Sequence, residues 1–221
     1  MAISTRKLIA KRQNILRGQN MHISEGVLSP AVLGAGAALT AVGTAIGLKQ
    51  VDYEAIPRVS ILSATFFVAS LIHVPIGPSS VHLLLNGLMG LLLGWAAFPA
   101  VLIGLFLQVL LFQFGGFTVL GVNTFNVAAP AVLCFYIFRD VLRQEGTLAV
   151  VASFACGFCT VLLTALFTAL SLMFTGEGFL TVARLVVLAH IPVMIIEGLF
   201  TMFVFFYLVK VRPEMLEKIY A

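Results

Sequence analysis

Charge is scarce in this sequence. Only 10% of its 221 residues are Asp, Glu, Lys or Arg, while 61% are hydrophobic. A soluble domain carries about 25% charged and about 45–50% apolar residues. The shortage excludes a hidden soluble catalytic domain and points to a polytopic membrane protein. Each spanning helix takes roughly 20 apolar residues, which leaves room for about six to eight spans. Cysteine is also sparse: Cys134, Cys156 and Cys159 are the only three. Cys156-x-x-Cys159 sits inside an apolar run rather than a soluble βαβ context, so it reads as small residues on one helix face and not as a redox pair.

Hydrolytic motifs are missing as well. No H-E-x-x-H and no G-x-S-x-G argues against intramembrane proteolysis. Without a Walker A sequence the chain cannot itself drive transport by ATP hydrolysis, so an ion gradient or partner proteins must supply the energy. A gradient-driven carrier is expected to show paired repeats with broken helices and ionisable midplane groups; only Glu197 fits, and no repeat is evident. The formal charge of +4 does not signal nucleic-acid binding. Arg6, Lys7, Lys11, Arg12 and Arg17 crowd residues 1–20 with no acid among them, and beyond them eight basic residues face nine acidic ones. Residues 1–20 also lack an apolar h-region, so they are not a secretory signal peptide.

What is present is a series of apolar runs, roughly 30–48, 59–74, 81–98, 99–114, 127–138, 148–174 and 185–209. Pro99 is expected to break the third from the fourth, and the fifth could start inside the Gly/Asn-rich segment before it. The expected fold is an all-α membrane protein with about seven transmembrane helices. Loops 49–58 and 139–147 and the tail 210–221 then share a side and hold Lys49, Arg58, Arg139, Arg143, Lys210, Arg212 and Lys218, against Arg184 on the other. The positive-inside rule makes that side cytoplasmic, with the N-terminus outside. Five unbalanced positive charges outside contradict the rule. A start or cleavage at Met21 removes the conflict, leaving one membrane-embedded domain over 21–221; a basic helix on the membrane surface is the other reading of 1–20.

Met21-His22 then becomes a chelating pair. A free Met21 α-amine, the His22 backbone nitrogen and His22 Nδ1 close a five-membered and a six-membered ring on a metal. One further imidazole completes a planar four-nitrogen set of the kind that Ni(II) or Cu(II) prefers. His22, His73, His82 and His190 all fall near the outward face. His73-Val-Pro-Ile-Gly-Pro-Ser-Ser-Val-His82 carries two prolines and a glycine, so it cannot be one helix; it is expected to fold inward and line a site. Gly115 to Asn126 is expected to cap the same cavity, with its amides bonding a ligating imidazole, or to be a re-entrant turn satisfying its own backbone. His190-Ile-Pro opens the last span. Glu197 inside that span reads equally as a functional group or a hydrogen-bonded packing group. Ala37, Ala41 and Ala45 repeat every four residues in the first span, a face that allows close helix approach.

M-H-I-S-E-G, I-H-V-P-I-G-P-S-S-V-H-L-L-L-N-G, G-G-F-T-V-L-G-V-N-T-F-N and H-I-P-V-M-I-I-E-G, in that order, closely resemble the CbiM/NikM family over Met21 to about Lys210. These are substrate-capture membrane subunits of energy-coupling-factor transporters for cobalt and nickel. The resemblance implies seven helices in the cell (inner) membrane, no cofactor, and Co²⁺ or Ni²⁺ as cargo, with cobalt serving cobalamin biosynthesis. It implies metal ligands Met21, His22 and His82, with His73 as support or alternate, and Ser80 nearby. The Asn123/Asn126 loop would lie over the site. Implied partners are a transmembrane coupling protein (CbiQ-like), a cytoplasmic ATPase (CbiO-like) and a small auxiliary membrane subunit (CbiN-like), with Ala37, Ala41 and Ala45 meeting the coupling protein. The 20-residue extension departs from the family. The rival readings are a secondary permease for a small organic solute or vitamin, with structural histidines, and a membrane scaffold.

Overall fold

The computed structural model describes residues 23–76, 79–144, 146–176, 180–216 and 219. It is helical throughout apart from one short hairpin. In order come α1 (Pro30–Lys49), α2 (Ile56–Ala69), β1 (His73–Ile76), β2 (Ser79–His82), α3 (Asn86–Leu93), α4 (Ala97–Phe112), α5 (Leu120–Leu142), α6 (Thr147–Met173) and α7 (Leu180–Val211). Among the described residues five stretches are long and apolar enough to cross a membrane; α2 is a shorter apolar helix.

The helix starts follow from local chemistry. Pro30 opens α1, where a missing N–H costs nothing because first-turn donors have no partner within the helix. The same rule moves the break expected at Pro99. Pro99 lies in the first turn of α4, and the chain turns instead at Gly94, whose φ of 55° and ψ of −126° suit glycine alone, through a short 3₁₀ turn Gly94–Ala96. The third and fourth expected spans are thus α3 and α4, two helices within the apolar stretch Asn86–Phe112 whose turn lies five residues before Pro99. The fifth starts seven residues earlier than residue 127, at Leu120, so the Gly/Asn segment enters the helix.

Each of the eight residues of α3 is buried. A helix apolar and buried on all sides belongs to the core rather than to the lipid-facing wall. Glycine permits that position: a Cβ on Gly90 would sit 2.2 Å from the Ala131 carbonyl oxygen of α5, and one on Gly87 would sit 2.8 Å from the Gly157 Cα of α6. By contrast α1 is peripheral. It buries Gly36, Thr40, Gly43 and Gly47, and its Thr40 hydroxyl donates to the Gly121 carbonyl at 2.6 Å. Ala37, Ala41 and Ala45 stay exposed.

α5 measures the bundle. Near its start Asn123 bonds Ile23, and just past its end Arg143 donates to the Ile219 carbonyl at 2.5 Å. Twenty residues of helix separate these anchors by about 30 Å, one hydrocarbon core. The first and last described residues thus sit at opposite ends of the bundle.

Candidate metal site

The expected ligands Met21 and His22 lie outside the described residues, but the residue after them is fixed. Ile23 is buried, and its peptide is gripped from both sides by Asn123: the Ile23 N–H donates to Oδ1 at 3.2 Å and Nδ2 donates to the Ile23 carbonyl at 3.1 Å. Ile23 and Leu28 pack with Val119, Val122 and Leu172. The Thr118 N–H donates to Glu25 Oε1 at 3.3 Å, and the Ser29 N–H to Thr175 Oγ1 at 3.3 Å. Residues 23–29 are therefore threaded against the ends of α5 and α6 rather than trailing from α1.

The segment expected to be non-helical is an antiparallel hairpin in which His73 pairs with His82 and Ser80 with Pro75. Its tip, Gly77-Pro78, lies outside the described residues. His82 is buried, and its Nδ1 lies 3.0 Å from the Leu83 carbonyl oxygen. A carbonyl only accepts, so Nδ1 is the donor, and in the neutral ring the lone pair then sits on Nε2. That is the orientation in which a backbone carbonyl presets an imidazole for a metal.

Glu197, completely buried in α7, reaches the chain just after His82. Its Oε1 accepts the Leu84 N–H at 2.5 Å and the Leu85 N–H at 2.8 Å. His190, two helical turns earlier on the same face of α7, places Nδ1 2.6 Å from the Val186 carbonyl and takes the same tautomer as His82. With Leu84, Asn123, Asn126, Val127, Thr164 and Thr168, it lines a cavity of about 10 Å³, room for a single water. This cavity lies between the residue that grips Ile23 and the stretch that follows His82.

Asn123 and Asn126 are not in a loop over the site. They are buried in the first turns of α5, where the polar segment continues as helix; Asn126 exchanges hydrogen bonds with Ser171 at 3.2 and 3.3 Å. Asn86 was not anticipated. It heads α3, is completely buried and donates to Thr164 Oγ1 at 2.8 Å and the Val127 carbonyl at 3.2 Å. The signal for it was one amide inside L-L-L-N-G-L. Among the described residues no three His, Cys, Asp or Glu side chains gather as a metal cluster. The described part of the candidate site is thus one buried imidazole oriented by a carbonyl and the clamp on the residue that follows His22.

Residues 22–215 match the CbiM family, described as the cobalt uptake substrate-specific transmembrane region. This chain belongs to the CbiM family. A Haemophilus influenzae protein described as a metal transport protein is 43% identical over 201 residues, spanning 90% of this chain and 98% of that one. A fused nickel transport protein, NikMN, of Archaeoglobus fulgidus is 28% identical over 205 residues, 90% of this chain and 68% of its own. A crystal structure of a transition metal transporter superposes with a TM-score of 0.73 at 30% identity, covering 86% of this chain and 93% of that one. As a CbiM-family member the chain is a multi-pass membrane protein of cobalt and nickel transport, and not an enzyme.

Proposed function

We propose that this protein is the substrate-binding membrane component of an energy-coupling-factor importer, capturing Co²⁺ or Ni²⁺ outside the cell and passing it inward. The metal is held by the Met21 amine, the His22 backbone and ring nitrogens, and His82 Nε2, with His73 and Ser80 beside them. The amine ligand requires a chain that begins at Met21, by initiation or by cleavage; intact mass of the purified protein reads that directly. The chain crosses the inner membrane seven times, with its N-terminus outside and its C-terminus cytoplasmic. A CbiQ-like coupling protein docks on the exposed Ala37, Ala41 and Ala45, a CbiO-like ATPase drives release, and cobalt goes to cobalamin synthesis. The fused NikMN relative favours an auxiliary CbiN-like subunit.

The observation that supports this reading is the Asn123 grip on Ile23, which holds the residue next to His22 inside the bundle, while Asn123 and Leu84, two residues after His82, line one cavity. Nickel and cobalt titrations of the purified protein test it. His22→Ala and His82→Ala are each expected to weaken binding at least a hundredfold, and wild-type affinity in both would sink the site. Protons compete for amine and imidazole, so binding by the wild type is expected to fall as pH drops through the imidazole range near about 6.5.

A further inference from the structure

We infer that Glu197 is a positioning residue for the metal, acting through the backbone that follows His82. The inference rests on the reading that His82 is a ligand, and it concerns what holds that ligand in place. The connection from β2 to α3 is only Leu83-Leu84-Leu85. Leu85 has φ 49° and ψ 14°, a left-handed conformation that a bulky residue rarely adopts unless its surroundings impose it. No side chain of the N-cap residue satisfies the start of α3. The carboxylate of Glu197 takes that place from another helix, accepting two consecutive N–H groups in the turn.

The placement is tight on every side. α3 is wedged by Gly87 against Gly157 and by Gly90 against Ala131, so it cannot slide to relieve the turn. Gly157 in turn abuts Glu197's own carbonyl and the Thr201 hydroxyl on α7. His82 is therefore located by a short rigid chain: α7 backbone, Glu197 carboxylate, the Leu84 and Leu85 amides, then two residues back to the imidazole. A carboxylate buried in a span is costly and needs a reason. Accepting two N–H groups that have no other acceptor supplies one, and the task needs an acceptor rather than a charge.

The experiment measures nickel affinity and the visible d–d spectrum of the purified full chain with Glu197→Gln, Glu197→Met and His82→Ala, singly and with Glu197→Met combined with His82→Ala. Gln keeps the accepting oxygen; Met fills the same volume with an apolar group suited to the bundle interior but accepts nothing. Glu197→Met is expected to weaken nickel at least tenfold, the usual size of a lost supporting contact, and to shift the spectrum per bound nickel toward that of His82→Ala. Glu197→Gln is expected to restore affinity to within about threefold of the wild type, since the accepting oxygen is kept. In the His82→Ala background Glu197→Met is expected to add nothing further, because the two act as one unit. Additive losses, an unchanged spectrum per bound nickel, or Gln failing as badly as Met would each overturn the assignment. Unchanged affinity in Glu197→Met would do the same. Absence of nickel binding in the wild type would instead overturn the ligand reading beneath it.

Discussion

The stretch at Ile23 and the turn at Leu84–Leu85 are each held by one buried polar side chain from a distant helix, yet the two holds differ in kind. Asn123 meets an extended peptide that offers both a donor and an acceptor, and an amide matches both at once. Glu197 meets two donors and no acceptor, so a carboxylate fits where an amide would leave its NH₂ idle. One hold receives the segment ahead of α1, threaded into the bundle; the other fixes a turn within it. The identity of each side chain is set by the polarity of the backbone it faces.

Gly90→Val should disturb both holds at once and give the largest effect. Its side chain would meet the Ala131 backbone and drive α3 from α5, which joins the Glu197-held turn to the helix that carries Asn123. Overpacking of a tight helix contact costs about 1–3 kcal/mol or more, so folded yield and thermal midpoint in detergent should fall sharply. Asn123→Ala should come next. It strips the Ile23 N–H and carbonyl of partners at about 1–3 kcal/mol for each buried group, expected as a tenfold or greater loss of nickel or cobalt affinity in dialysis. The exchange of amide and acid sharpens the contrast: Asn123→Asp should fail nearly as badly as Asn123→Ala, because it withdraws the donor facing the Ile23 carbonyl, whereas acid to amide at 197 is expected to be mild. Equal tolerance of the exchange at both positions would erase the distinction. Cys156→Ala should do least. Cys156 is buried with a free thiol and belongs to neither hold, so metal affinity should remain that of the wild type.

Much of the architecture was legible because the bilayer forces apolar runs of a set length. α1, α6 and α7 lie close to where such runs put them. What was missed at α3 was its length and the place of its turn, and the reason is physical. A short helix buried inside a bundle is as apolar as a lipid-facing span, so hydropathy carries the third run from residue 81 to 98 and cannot see that the helix starts only at Asn86 and turns at Gly94, ahead of Pro99. The histidine segment was legible as non-helical from Pro75, Gly77 and Pro78, but its strand pairing was not, since prolines forbid helices without naming what replaces them. Asn123 and Asn126 were expected in a loop and lie in a helix. Asparagine favours turns, and only tertiary partners, Ile23 and Ser171, make it tolerable inside a helix. Glu197 stood out as a charge in a span; that it accepts from Leu84 and Leu85, more than a hundred residues away, left no trace in local pattern.

The single tryptophan falls at the bend between α3 and α4. Trp95 lies in the 3₁₀ turn between α3 and α4, its indole N–H donating to the Tyr136 hydroxyl at 3.0 Å while its ring stacks on Phe98. Its emission colour and quenching therefore provide a built-in optical gauge of that corner, readable in the native protein without any attached dye.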